Sequence, residues 1–474
     1  MKRLSIILLS TFLFMCNYAM SQAKSSTILY STYYSGIGAD DADVVAVDQN
    51  NNIYLGCHSN SPDLLDPSKE QYKLSGGIDA FIIKLDSKGD KVGYLAQLGG
   101  TEWDAVQGLV SDASGNIYAV GTTYSVDFPI STNSFQSNFG GDSDAFVVKL
   151  NPKGEVLWST FLGGNKNEDG RDIILDEQGN LHIIGRTESK NFPTSAKAFQ
   201  PKSAGGIDAF ITTLNSDGKM ISSTYLGGSG DDIGFSLSLS SNGQLYVSGT
   251  TNSTDFPVKD AIQNKNNGDN DIFLTAINKE KTNIAFSSYF GGHEADQLYS
   301  VCVNSFDEVF IMGVTKSSDY PTTKGAFQTV FGGVKDVFIT KLNIEKREYE
   351  YSTYLGGNKA DNPRNLVVNG KGNAIIVGNT ASQDFPTIMH QKKQINGSQD
   401  AFVTILNTDG SSLYYSSLFG GNGNDVFEGI TIGTDGSLTL SGATSSTDFS
   451  TLNPLQKTFL GGRYDMIIAR LFID

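Results

Sequence analysis

Seven short motifs recur at an almost fixed spacing along the chain, and that period constrains the fold more than any other feature. They are Tyr34-Ser35-Gly36, Leu98-Gly99-Gly100, Leu162-Gly163-Gly164, Leu226-Gly227-Gly228, Phe290-Gly291-Gly292, Leu355-Gly356-Gly357 and Phe419-Gly420-Gly421. Successive motifs lie 64 residues apart five times and 65 once. A period of that length marks one supersecondary unit that buries its apolar surface only by stacking on its neighbours. Length alone, 474 residues, would suggest two or three domains; the period overrides that.

Each unit holds four strand-like runs, clearest in the second. Gln107–Asp112 is run A, Asn116–Gly121 run B, Asp144–Leu150 run C and Val156–Leu162 run D. Asp112-Ala113-Ser114-Gly115 and Asn151-Pro152-Lys153-Gly154 are turn signals between A and B and between C and D. No segment keeps a helical period. Seven four-stranded antiparallel units with no polar caps at the ends predict an all-β fold, a single seven-bladed β-propeller. The ends predict how the ring closes. Ile28–Tyr34 matches run D, whereas the chain stops after Asp465–Leu471, which matches run C. The N-terminal strand is therefore expected to complete the C-terminal blade.

The repeat resembles a known bacterial family, the SBBP-type beta-propeller repeat. Ser125-Val126-Asp127-Phe128-Pro129, Phe135-Gln136, Gly140-Gly141 and Asp144-Ala145-Phe146 carry the likeness in blade 2. Asn191-Phe192-Pro193, Phe199-Gln200, Gly205-Gly206 and Asp208-Ala209-Phe210 carry it in blade 3. Blade 1 departs from it, with Ser61-Pro62-Asp63-Leu64 in place of Asp-Phe-Pro, and blade 4 has no Gly-Gly before Asp271. The resemblance implies a propeller of the bacterial surface or exterior. It implies no reaction, since fold does not dictate function.

The N-terminus reads as a signal peptide over 1–21. Lys2 and Arg3 are the basic region, Leu4–Met15 the apolar one, and Ala19-Met20-Ser21 the cleavage site. Lipoprotein processing at Cys16 is the rival, but Leu13-Phe14-Met15 lacks the small residue expected before such a cysteine. A short tail, 22–26, would precede the propeller, 27–474. Export to the periplasm, cell surface or exterior follows, with no membrane-spanning helix and a monomer as the expected state. The formal net charge of −16 disfavours nucleic acid and anionic lipid as partners. Cys57 and Cys302, the cysteines beyond the leader, are too few for a disulfide framework.

Candidate sites come from what recurs and from what does not. An acid follows every Gly-Gly motif: Asp40, Asp104, Glu168, Asp232, Asp296, Asp361 and Asp425. These are the candidate ligands for Ca²⁺, the one cofactor the pattern admits. The competing role is a turn carboxylate accepting backbone N–H bonds, and recurrence in every blade favours it. Gly420–Phe427 matches a calcium-binding nonapeptide, but that motif works only in tandem. A second acid precedes each run C: Asp79, Asp144, Asp208, Asp271, Asp336, Asp400 and Asp465. With the Phe-Gln pairs, it is expected to satisfy the long B–C loops.

No catalytic constellation is visible. The histidines, His58, His182, His293 and His390, lie in four different blades, and His182 falls where other repeats carry Tyr118, Tyr246 or Phe310. Nucleophile-elbow, zinc-protease and P-loop motifs are absent. The ligand candidates are departures from the repeat on the face of the D–A and B–C loops: Glu102, Trp103, Lys166, Arg171, His293, Glu294, Lys359 and Arg364. An aromatic ring among polar groups suits a sugar. The expected function is a non-enzymatic binding or scaffold module for a protein or glycan. The alternatives are a polysaccharide hydrolase or lyase and a calcium-stabilised surface protein.

Overall fold

A computed structural model describes residues 26–64, 74–388 and 394–473. The signal-peptide and cleavage assignments, most of the tail and His390 lie outside the described residues. Seven separate four-stranded antiparallel sheets form the ring. Blades 1 to 6 span 40–98, 104–162, 168–226, 232–290, 296–355 and 361–419; blade 7 combines 425–473 with Ser26–Tyr34. Ser26, counted with the tail in the sequence, already pairs with Ile473, and the closing strand runs antiparallel to strand C of blade 7 through Tyr34 opposite Met466. Among the described residues no helix is long and apolar enough to cross a membrane.

Strand C shows why these residues fold this way. Alternate side chains point to opposite faces, and here both faces are buried. In Asp144–Leu150, Phe146, Val148 and Leu150 pack toward blade 1 while Ala145 and Val147 pack toward blade 3. The core is accordingly seven clusters, one per blade junction, and the junction of blades 7 and 1 joins Tyr34, Met466 and Ile468 to Leu55 and Phe81. The Asp-Phe-Pro ring closes each wedge: Phe128 stacks on Phe146 and Phe192 on Phe210, each at 4.5 Å. The B–C glutamine satisfies its loop as expected. Gln136 accepts the Gly163 N–H at 3.1 Å and donates to Asn138 O and Asp144.

The seven A strands are innermost, each against the A strands of both neighbouring blades. They begin at the repeating acid itself, earlier than the apolar pattern of run A implied, because Asp104 N–H already bonds Ile78 O of the preceding blade at 3.0 Å.

Candidate binding site at the mouth of the central channel

The acids of the first ring are buried in the junctions. Asp104 accepts the Gly100 N–H at 2.8 Å and the Ser125 hydroxyl at 2.9 Å. Asp232 accepts those of Gly228 and Ser253 at 2.7 and 2.8 Å. Asp40, Asp296, Asp361 and Asp425 repeat the pattern, and Glu168 takes Gly164 with Thr187. Each carboxylate therefore fastens its own D–A loop to the end of strand B.

The second ring faces the first across the first glycine of each of the six Gly-Gly motifs. A Cβ on Gly99 would lie 2.9 Å from Asp104 and 3.0 Å from Asp79; on Gly356, 2.7 Å from both Asp336 and Asp361. The glycine makes room for two carboxyl groups. Burial, and then the facing carboxylate, pushes Asp104 and Asp232 up to about 6 and Asp296 up to about 7. Among the described residues no three His, Cys, Asp or Glu side chains converge as a metal set.

The channel wall varies from blade to blade. Each A strand carries a β-bulge three residues past its acid. The extra residue has no cross-strand partner, a device that re-aims a side chain. Those residues are Asp43, Gln107, Arg171, Phe235, Tyr299, Arg364 and Glu428. They meet around the ring: the Arg171 guanidinium lies 5.6 Å from the Phe235 ring centre, that of Arg364 6.0 Å from Tyr299, and Arg364 pairs with Glu428 at 3.1 Å.

Charge concentrates between blades 6, 7 and 1. His58 pairs with Asp43 at 2.8 Å, and a cavity of about 160 Å³ is lined by Asp41, Arg364, Asn379, Gln399, Glu428 and Tyr464. Burial pushes Glu428 up to about 7 against the pull of Arg364. Burial, Asp43 and Glu428 hold Asp41 well above the usual carboxylate range. Burial alone would lower His58, but Asp43, Asp41 and Asp40 push it up to about 9. Displaced titratable groups in a cleft mark a candidate site.

The sequence candidates divide by position. Arg171 and Arg364 are wall residues. Trp103 stands at the rim, its ring 6.1 Å from His58 and edge-on to Tyr124 at 5.8 Å. Glu102, Lys166, Glu294 and Lys359 hold one equivalent, exposed loop position, their N–H groups fixed by Ser125, Ser189, Ser317 and Ser382; they are spread around the rim. His293 pairs with Asp319 on the same loops. Sequence reasoning missed Asp41, Asp43, His58, Tyr124 and Glu428; comparing the repeats column by column at the third residue after the acid would have found two of them.

A larger cavity, about 410 Å³, lies away from this mouth, beside the A–B and C–D turns of blades 3 and 4, with Asp176, His182, Thr213 and Lys281 in its wall. His182 is a packed ring there, 2.9 Å from Thr213 Oγ1 and 3.2 Å from Asp176; burial, then Lys281, pushes it down to about 4.

The SBBP beta-propeller repeat model matches residues 223–257. The regulatory protein FlaEY of Caulobacter vibrioides is 22% identical over 397 residues, 78% of this chain; the match spans 40% of that protein's length. Among solved structures, polysaccharide lyase Uly1 aligns at a TM-score of 0.48 and 9% identity, covering 95% of this chain and 99% of that one. A PL25 ulvan lyase bound to -[GlcA(1-4)Rha3S]- aligns at 0.47 and 10%, covering 92% and 96%. A Dyadobacter fermentans protein of unknown function aligns at 0.42 and 9%, covering 95% and 99%. Likeness at this level carries no statement about what this chain binds or does.

Proposed function

We propose that this chain, a seven-bladed propeller of SBBP repeats, is an exported, non-enzymatic binding module whose ligand, a glycan or a protein, docks at the mouth of its central channel. One observation carries the reading. Every blade keeps the acid that fastens its loop, yet the A-strand bulge holds six different residue types over the seven blades, with only arginine used twice. On a pseudo-symmetric ring, only positions that differ can fix one ligand in one orientation. The support for export is the basic and apolar N-terminal pattern.

The test is a glycan array together with a pull-down from cell-envelope extract, using the full chain and its Trp103→Ala and Glu428→Gln variants. The reading expects a ligand whose capture falls with both. Undiminished capture by both would move the docking surface elsewhere. A second reading, a polysaccharide hydrolase or lyase, is favoured by Glu428 near 7 beside the raised Asp41, a placement suited to proton transfer. New reducing or unsaturated ends that vanish in Glu428→Gln would establish it over the first.

A further inference from the structure

We propose that the channel mouth carries an anion subsite between blades 5 and 6, formed by Lys316, Lys335 and Arg364, that takes the carboxylate or sulfate groups of an acidic polysaccharide. This names the chemistry of the ligand and rests on the docking surface proposed above.

The placement follows from strand register. Strand B of blade 5 (Val309–Thr315) pairs with strand C (Asp336–Asn343) so that Thr315 lies opposite Asp336. Lys316 and Lys335 therefore leave the strand ends side by side. Lys335 bridges in parallel to Ala360, and its carbonyl accepts the Asp361 N–H at 3.0 Å, which brings in the start of strand A of blade 6. Three residues on is Arg364, its guanidinium leaning back over Tyr299 of blade 5. Neither lysine column holds a Lys or Arg in any other blade, so the framework does not require them.

Three cations gathered in a chain of net charge −16 repel one another unless an anion sits between them. Burial, then Lys316 and Arg364, lowers the Lys335 pKa. Among the described residues neither lysine has an ion-pair partner. The nearby carboxylates are spoken for: Asp336 and Asp361 are buried and bonded to Gly332 and Gly357, and Glu428 pairs with Arg364. Glu294, exposed on the adjoining loop, and Asp384, which accepts the Asn358 N–H at 2.9 Å, are the exposed carboxylates nearby. The overall negative field does not decide against an anionic ligand. Exposed charges beyond about 8 Å are largely screened at physiological salt, so the local cluster governs. Blade 2 lies across the ring from this junction, and there the Trp103–Tyr124 pair offers a face for a sugar ring. An extended chain crossing the mouth reaches both, which favours a polymer over a small anion.

The experiment measures binding of the full chain to dextran, carboxymethyl dextran and dextran sulfate, which share one backbone and differ in charge. Both charged polymers should bind at least about tenfold more tightly than dextran and weaken with salt. Their relative affinities identify the preferred group. Lys316→Ala/Lys335→Ala should lose about tenfold or more, Glu294→Gln should tighten binding, and Lys197→Ala/Lys279→Ala, at the other end of the molecule, should change nothing. Equal binding of dextran, no binding of either charged polymer, or full binding by the Lys316/Lys335 variant would each overturn the proposal. If dextran binds equally but Trp103→Ala abolishes it, the anion subsite is wrong and the docking surface stands. If binding is indifferent to the lysine, Trp103 and Glu428 variants alike, both fall.

Discussion

Arg364 and Glu428 occupy the same position of the repeat, one blade apart, and meet as an ion pair of 3.1 Å in the channel wall. Each is the unpartnered residue of a bulge, so neither side chain is held by a cross-strand neighbour. What fixes them is each other and the surrounding wall.

That pairing sets the protonation of Glu428. Burial raises its carboxyl to about 7 while Arg364 holds it down. Arg364→Gln removes the cation and leaves the burial, so the titration midpoint should move up by about a unit or more. Carbon chemical shifts of the Glu428 carboxyl across pH 5–9 read this directly. A midpoint that falls, or stays near 4.5, would show that the wall is wetter than its packing implies.

Stability should decline as pH rises from about 4 to about 7. Burial first, with neighbouring carboxylates adding, pushes Asp144 and Asp296 up to about 7 and Asp104, Asp271 and Asp465 up to about 6, from an ordinary value of 3.8. A carboxyl whose folded pKa is raised binds more protons folded than unfolded between the two values. Its contribution is complete below the unfolded pKa and lost as pH climbs through the folded one. The melting temperature should be several degrees higher at pH 5 than at pH 8. A melt that instead rises over this interval would mean the junction pairs ionise freely or share a cation.

Substitution of one acid separates these roles. Asp232 Oδ2 accepts Gly228 N–H and Ser253 Oγ, and an amide oxygen can accept the same bonds. Asp232→Asn should therefore cost on the order of 1 kcal/mol and leave the melt insensitive to chelator. A melt that drops in EDTA, recovers with Ca²⁺ and loses that recovery in Asp232→Asn would establish a calcium site.

The fold was legible because the repeat is written in residues with few alternatives. Gly99 or Gly356 stands where two carboxyl groups need the space of a Cβ, and Phe128 or Phe192 where a wedge needs a plug. Even the degenerate motif has its compensation. Ser35 replaces the glycine of the last junction, and Gln456 accepts its N–H at 2.9 Å and donates to its hydroxyl at 2.8 Å. The site was less legible. A bulge leaves no mark in composition, and strict alternation assigns Asp43 and Glu428 to paired positions. In an acidic chain two more carboxylates attract no notice. Arg171 and Arg364 stood out only because cations are scarcer.

The thiols should be free and slow to react. Cys57 lies fully buried in strand B of blade 1, and Cys302 half-buried in strand A of blade 5; neither is bonded to another cysteine. Burial holds the Cys57 thiol well above its usual range and pushes Cys302 up to about 11, so little thiolate is available at neutral pH. With the leader removed, titration without reductant should find two thiols in denaturant and almost none in the native protein at pH 7. Rapid native labelling at either position would contradict the packing of that blade.

The closing strand should matter out of proportion to its nine residues. Tyr33 donates its hydroxyl to Ser446 O at 2.8 Å and accepts the Phe449 N–H at 2.9 Å. Tyr225 does the same for its own blade, with Ser189 O at 2.7 Å and the Phe192 N–H at 2.9 Å. The N-terminal segment thus supplies the tyrosine that fastens the B–C loop of blade 7, as well as the outer strand and, in Tyr30 and Tyr34, part of the apolar cluster against blade 1. Deleting 26–34 exposes the edge of strand C and the Met466–Ile468 face at once, and an unpaired apolar edge recruits other chains. The variant should lose its cooperative melt and oligomerise. Tyr33→Phe keeps the strand but strands Phe449 N–H and Ser446 C=O, so it should melt cooperatively at a lower temperature, with a loss of about 1–3 kcal/mol. Calorimetry with light scattering on both variants separates the outcomes, and a deletion that melts like the parent as a monomer would sink the proposed closure.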